Sequence, residues 1–348
     1  MSSSAAGLIF GGVALVLLAL ARRRRRDGGT LVANGDILTA RSTRPVTPAE
    51  QDAYVRDGYV ILRNVFDAEE VALMRAALEQ DKLIEKMAIH KKDNDGALAK
   101  LTLWTNNEED NTYNLFSRSA RLACIARDLM QAAAGYNVEP YHLHSKLMLK
   151  EPRTGGSFEW HQDFGYWWQA GILNPNKTLA TVVAIDDATL ENGCLQYLRG
   201  SHTLGRLDHG VAGTQVGAHP MRVEQAMAEG HAVVPCLMRP GDVAVQHGNT
   251  LHMSERNRSD TWRRCLIVSW NGKSNPPNGR GLDGRPLNVV NPDYFPCRVT
   301  DDGAIKALGV RGFSAHASCD KAGTMRTAGA GFLDVESDVA QYKQPLLS

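Results

Sequence analysis

The feature that most constrains this chain's fold is a series of seven short apolar segments, at 141–149, 157–163, 178–186, 194–198, 231–238, 242–247 and 263–271. Gly, Asn and Asp turns separate them, and no regular helical pattern falls between. A parallel α/β fold alternates strands with helices, so this order predicts two antiparallel sheets instead. The chain has 348 residues, 43% hydrophobic and 22% charged, which is enough to bury a sizeable core as one large domain.

Helices are predicted ahead of the sheets. Thr47-Pro48-Ala49-Glu50 has a cap, a first-turn Pro and a Glu to complete the capping box. A strand follows at 59–62. Asp67-Ala68-Glu69-Glu70 caps a second helix running to about Asp81, with Val71, Leu73, Met74, Ala77 and Leu78 at helical spacing. Residues 91–114 are polar and turn-rich and read as a loop or lid, and residues 117–134 read as a third helix. Mainly β structure with flanking N-terminal helices is therefore expected.

The chemistry concentrates on His161-Gln162-Asp163 and on His252, 91 positions later. Two imidazoles and one carboxylate bind one face of a ferrous ion and leave the other face open for oxygen. On a strand, side chains at i and i+2 share a side, so His161 and Asp163 converge if 157–163 is extended throughout. Glu159 has the same spacing from His161 and competes as the carboxylate. Arg263 lies eleven residues after His252 and opens the apolar strand Cys265 to Trp270. It would face the metal across the pocket, and its planar fork suits a carboxylate. His247 with Arg258 repeats the same spacing, but Arg258 falls in the polar run Glu255–Asp260, which reads as a turn. Arg264 is the fallback if the register slips by one. On 141–149, His142, His144 and Lys146 share a face and are candidates to touch a cosubstrate.

These segments, in this order, resemble the phytanoyl-CoA dioxygenase family of iron(II)/2-oxoglutarate oxygenases. Asp57-Gly58-Tyr59-Val60-Ile61-Leu62 looks like its opening strand, and Lys150-Glu151-Pro152 through His161-Gln162-Asp163 like its metal strand. Glu191-Asn192-Gly193-Cys194-Leu195 and Arg199-Gly200-Ser201-His202 look like its middle strands. The resemblance implies a double-stranded β-helix, the cupin-like jelly roll. It implies Fe(II), 2-oxoglutarate and O2, with 2-oxoglutarate decarboxylated to succinate and CO2 as a substrate carbon is hydroxylated. It favours Asp163 over Glu159, because the family order is His-x-Asp. It gives Ser254 a hydrogen bond to the distal carboxylate of 2-oxoglutarate. Relatives that halogenate replace the carboxylate by a small residue; Asp163 therefore implies hydroxylation.

The N-terminus suggests where this chemistry happens. Residues 5–21 carry no charge and would span about 25 Å as a helix, followed at once by Arg22–Arg26. A cleaved signal would have its positive charges before the apolar stretch. A single-pass anchor is expected, with the Arg run and the catalytic domain on the cytosolic side. The expected layout is an anchor with its basic flank at 1–29, a linker at 30–46, the oxygenase domain at 47–272 and a loop-rich extension at 273–348. Net charge is +1, five of the positive charges lie in the Arg run, and the remainder is net acidic. That argues against a nucleic-acid partner. A small molecule, hydrophobic or lipid-like, is the expected substrate, since Phe158, Trp160, Phe164, Tyr166, Trp167 and Trp168 crowd the metal segment beside a membrane anchor. Six cysteines show no paired or zinc-like spacing, which fits buried thiols in a reducing compartment.

Overall fold

A computed structural model describes residues 34–277, apart from 94, 106, 170, 213 and 214, together with 298–313. Its centre is two antiparallel sheets. The larger runs in the order Tyr59–Leu62, Val243–His247, Thr178–Ala184, Arg263–Gly272, Pro140–Lys150, Leu98–Trp104, Ile89–Lys92. The smaller runs Val233–Pro235, Leu195–Leu198, His252–Ser254, Phe158–His161. Met148, Ala180, Val182, Ala244, Cys265 and Ile267 of the larger sheet share one core with Leu195, Tyr197 and Cys236 of the smaller sheet or just beyond it. These are the two antiparallel sheets that the strand pattern predicted, and they form the jelly roll that the resemblance implies. Helix Ala120–Ala134 packs on the larger sheet's other side, against Thr178–Ala184 and Pro140–Lys150. Every residue of Thr178–Ala184 is buried, so that strand reads as a continuous apolar run rather than an alternating one.

The helix caps form as expected. Thr47 and Glu50 close a capping box on helix Pro48–Asp57, and Asp67 and Glu70 close another on Ala68–Gln80.

Three expectations are corrected. Residues 91–114 are not one loop. Ile89–Lys92 and Leu98–Trp104 form a hairpin that extends the larger sheet, and Thr112–Ser117 is helical. The lysines at 91, 92 and 100 obscure the strand alternation, while Gly96, at φ 85°, lets the connection turn back. The strand expected at 157–163 covers only Phe158–His161, and Asp163 opens the helix Asp163–Gln169. A second helix, Pro220–Ala228, also lies between strands.

The segment expected as a linker is partly docked where it is described. Asn34–Gly35 pairs with Val299–Thr300, and Thr43 donates to the Asp302 carboxylate. Beyond residue 297, Phe313 stacks on Tyr113 at 5.1 Å and meets Trp104 edge-on. Among the described residues no helix is long and apolar enough to cross a membrane, and the apolar stretch at 5–21 lies outside them. Cys124, Cys194, Cys236 and Cys265 are buried free thiols.

Candidate active site

His161 and His252 are register partners on adjacent strands of the smaller sheet. Their rings sit 4.2 Å apart, tilted by 52°. Asp163 joins them from a different kind of backbone. The strand ends at His161, so the convergence comes from a strand-to-helix turn at Gln162 rather than from alternation along one strand.

Gln162 fixes that turn and is fully buried. Its Nε2 donates to the carbonyls of Gly205 (2.8 Å) and Asn249 (2.7 Å), and its Oε1 accepts from the Leu207 amide at 2.7 Å. Its own backbone N–H donates to His209 Nε2 at 2.9 Å. Gly165 makes room for that imidazole, since a Cβ there would stand 2.4 Å from the His209 ring.

One ligand atom from each of His161, Asp163 and His252 lies within 4.8 Å of the others. His161 Nδ1 is 2.7 Å from the Glu159 carbonyl, and His252 Nδ1 is 2.9 Å from the Thr250 carbonyl. A carbonyl only accepts, so both Nδ1 atoms carry the proton and both Nε2 atoms present lone pairs, the arrangement a metal requires. Burial, and then the neighbouring His252, hold His161 well below the ordinary histidine value, so it is neutral and ready to ligate. Burial alone would raise the Asp163 pKa. The Lys146 ammonium nearby, with the Gln246 amide donating to Oδ2, outweighs it and keeps the carboxylate ionised. Lys146 Nζ lies 3.7 Å from Asp163 Oδ1.

Arg263 begins its strand as predicted and is buried at 3% exposure, and its Nη2 has no hydrogen-bond partner among the described residues. Its register partner is Lys150, fully buried, whose Nζ donates to the carbonyls of Ser254 (3.3 Å) and Glu255. Burial, and then Arg263, press the Lys150 pKa well below the ordinary lysine value. A buried guanidinium thus lies beside a buried lysine whose charged form burial disfavours. An unpartnered buried guanidinium nitrogen is costly unless an anion arrives. The dicarboxylate 2-oxoglutarate fits that need, as the two-imidazole, one-carboxylate set fits iron(II). Ser254 is buried at the end of its strand, two residues from His252.

The competing assignments separate cleanly. Arg264 is committed to Asp186, with Nε 2.7 Å from Oδ2 and Nη2 3.0 Å from Oδ1. Arg258 is exposed. His247 spends both nitrogens, accepting from the Asn249 amide and contacting Asn176 Oδ1 at 3.2 Å. Glu159 is not in the converging set. His142 is not brought to the trio: its Nε2 bonds Ser145 Oγ at 2.8 Å. The strand pairing shifts between Ser269 and Trp270, opposite His142 and His144, which breaks the alternation that would align His142 with Lys146.

Lys150 and Gln246 are contributors whose roles the sequence did not reveal. The available signal was a polar side chain inside an otherwise apolar strand, as in Val243-Ala244-Val245-Gln246.

Fold and site together define a jelly-roll protein with a buried set of two imidazoles and one carboxylate able to hold a metal ion. The sequence pattern of phytanoyl-CoA dioxygenase (PhyH) matches residues 54–265, and the chain belongs to that family. It is 28% identical over 244 residues to the ectoine dioxygenase of Sphingopyxis alaskensis, covering 66% of this chain and 78% of that one. It is 24% identical over 258 residues to the L-proline trans-4-hydroxylase of Streptomyces griseoviridis, covering 70% and 92%. The mouse phytanoyl-CoA dioxygenase domain-containing protein 1 is 32% identical over 132 residues, covering 37% of this chain and 44% of that one. Among solved structures, EctD from S. alaskensis with bound Fe superposes with a TM-score of 0.60 at 22% identity, covering 78% of this chain and 99% of that one. EctD with 2-oxoglutarate and 5-hydroxyectoine gives a TM-score of 0.59 at 21% identity, covering 78% and 94%. The enzyme is an iron(II)/2-oxoglutarate-dependent dioxygenase.

Proposed function

We propose that this enzyme hydroxylates an unactivated carbon of a small hydrophobic, lipid-like substrate. His161, Asp163 and His252 hold the iron; Arg263 and Ser254, with Lys146 nearby, receive 2-oxoglutarate. The observation that carries the cosubstrate assignment is the unpartnered Nη2 of buried Arg263 beside buried Lys150. Iron with 2-oxoglutarate supplies the oxidising power, while this chain orients the groups and keeps water out.

The substrate reading draws on the rings at the site. Tyr166 meets His161 edge-on at 5.9 Å, and Phe158 lies 6.5 Å from the same imidazole. Phe164 and Trp167 instead belong to a core with Tyr141 and Leu143, so they are packing residues. The apolar stretch at 5–21 and the Arg run supply a membrane anchor, with the catalytic domain on the cytosolic side.

A second reading, a small polar carboxylated substrate, has its own support. The relatives include an ectoine dioxygenase and an L-proline hydroxylase, and the Lys146 ammonium is available beside Asp163. Substrate-stimulated release of succinate, screened across hydrophobic and polar libraries, separates the two. Turnover with acyl or terpenoid compounds alone supports the first reading; stimulation by amino-acid-like compounds alone overturns it. For the anchor, full-length protein is expected in the membrane fraction and a chain lacking residues 1–29 in the supernatant. Equal partitioning of the two would sink it.

A further inference from the structure

We propose that Gln246 is a positioning residue that sets Asp163 for the metal. The inference rests on the reading of His161, Asp163 and His252 as ligands. Gln246 lies on Val243–His247, hydrogen-bonded between Tyr59–Leu62 and Thr178–Ala184, and is 2% exposed. Its backbone is therefore held on both sides. Its Nε2 donates to Asp163 Oδ2 at 2.7 Å and lies 3.1 Å from His252 Nε2. Its Oε1 accepts from the Tyr197 hydroxyl at 2.9 Å. The amide has one sensible orientation, because an ionised carboxylate accepts only and must face the nitrogen.

Tyr197 completes the support. It is fully buried and stacks on Tyr59, with ring centroids 4.4 Å apart and planes 20° from parallel. A relay thus runs from the edge strand Tyr59–Leu62 through the stacked ring pair to the hydroxyl, the amide and the Asp163 carboxylate. Along it, each side chain is fixed by the one behind it. Asp163 sits at the first position of a helix rather than on the sheet, so the sheet does not set its side-chain rotation. Gln246 does, by tying Oδ2 to the larger sheet. The same amide nitrogen meets the lone pair of His252 Nε2. His252 Nε2 would hold the metal through the lone pair that now meets this amide, and Gln246 would keep its hydrogen bond to Asp163 Oδ2.

The test is Mn(II) affinity of the full chain, measured by calorimetry without 2-oxoglutarate. Gln246→Leu is expected to weaken Mn(II) binding by about 10- to 100-fold, the range seen when orienting partners of ligands are removed. Tyr197→Phe keeps the ring stack and removes only the hydroxyl; a smaller loss is expected. Because both act through one relay, the double variant should bind no worse than Gln246→Leu alone. Gln246→Leu binding within twofold of the native protein overturns the inference, as does full additivity of the two losses. If Gln246→Leu fails to fold by circular dichroism, Tyr197→Phe alone decides: unchanged affinity overturns the inference, and a severalfold loss supports it. Absence of Mn(II) binding by the native protein would instead overturn the ligand assignment beneath it.

Discussion

Replacing Arg263 with Met removes the cation and keeps most of the side chain's bulk. Arg263 is 3% exposed, its Nη2 has no partner, and buried Lys150 pairs with it across the sheet. The desolvation cost of the guanidinium is thus already borne by the free protein. A carboxylate arriving at the fork gains two charge-assisted hydrogen bonds, each contributing about 1.5–3 kcal/mol. Losing both costs about 3–6 kcal/mol, or on the order of 100- to 10,000-fold in 2-oxoglutarate affinity. The unliganded variant should be as stable as the native protein or more so, because a buried guanidinium with an unpartnered nitrogen has gone. Anaerobic calorimetry on Mn(II)-loaded protein gives the affinity. Thermal unfolding gives an independent check: 2-oxoglutarate at 100 times its Kd should stabilise the native protein by about 2.7 kcal/mol and leave the variant unchanged. An Arg263→Met protein whose 2-oxoglutarate affinity stays within threefold of native would refute the carboxylate assignment.

Three further outcomes follow from the described contacts. Burial pushes His142 and His247 down to about 3 from the ordinary 6.5, so in mild acid the unfolded chain takes up protons that the folded chain refuses. Stability should be full above pH ~6.5 and fall below it by about 1.4 kcal/mol per pH unit for each such histidine; identical urea midpoints at pH 7 and 5.5 would contradict this. Asp93, 3% exposed, accepts from Arg256, from the backbone of Ala97, and from both the backbone and hydroxyl of Ser157. Asp93→Ala should cost about 3 kcal/mol in urea unfolding, and Arg256→Ala, which leaves the other donors in place, about 1 kcal/mol; equal effects would show that the ion pair alone matters. Gly165→Ala should displace His209, free the Gln162 amide and weaken Mn(II) binding severalfold, and native affinity in that variant would show that the turn at Gln162 does not depend on the His209 contact.

Much of the architecture was legible because burial leaves its period in the sequence. The strands at 140–150, 178–184, 243–247 and 263–272 each carry an apolar stretch between turn residues, and both N-terminal capping boxes are written out in full. Ile89–Lys92 was hidden because it is an edge strand with alternate residues in solvent, two of its four residues being lysines. Asp95-Gly96 was the turn signal available there. At the site, residue types and spacing pointed to His161 and His252, and the family resemblance chose Asp163 over Glu159; these three are the residues that converge. The helical start at Asp163 was not legible, because Phe164, Tyr166 and Trp167 suit a strand as well as a helix, and the decision lies in tertiary contacts of Gln162. Gln246 was equally hidden, since nothing in sequence tells that a strand glutamine 83 positions away donates to Asp163.

Both candidate imidazole ligands are aimed by a carbonyl two residues earlier in their own segment, Glu159 for His161 and Thr250 for His252. Each ligand thus carries its own jig, made of main chain. Point substitutions that reline the surrounding cavity for a new molecule leave those jigs in place. Such a scaffold can drift from one substrate to another over generations while its grip on the ion persists.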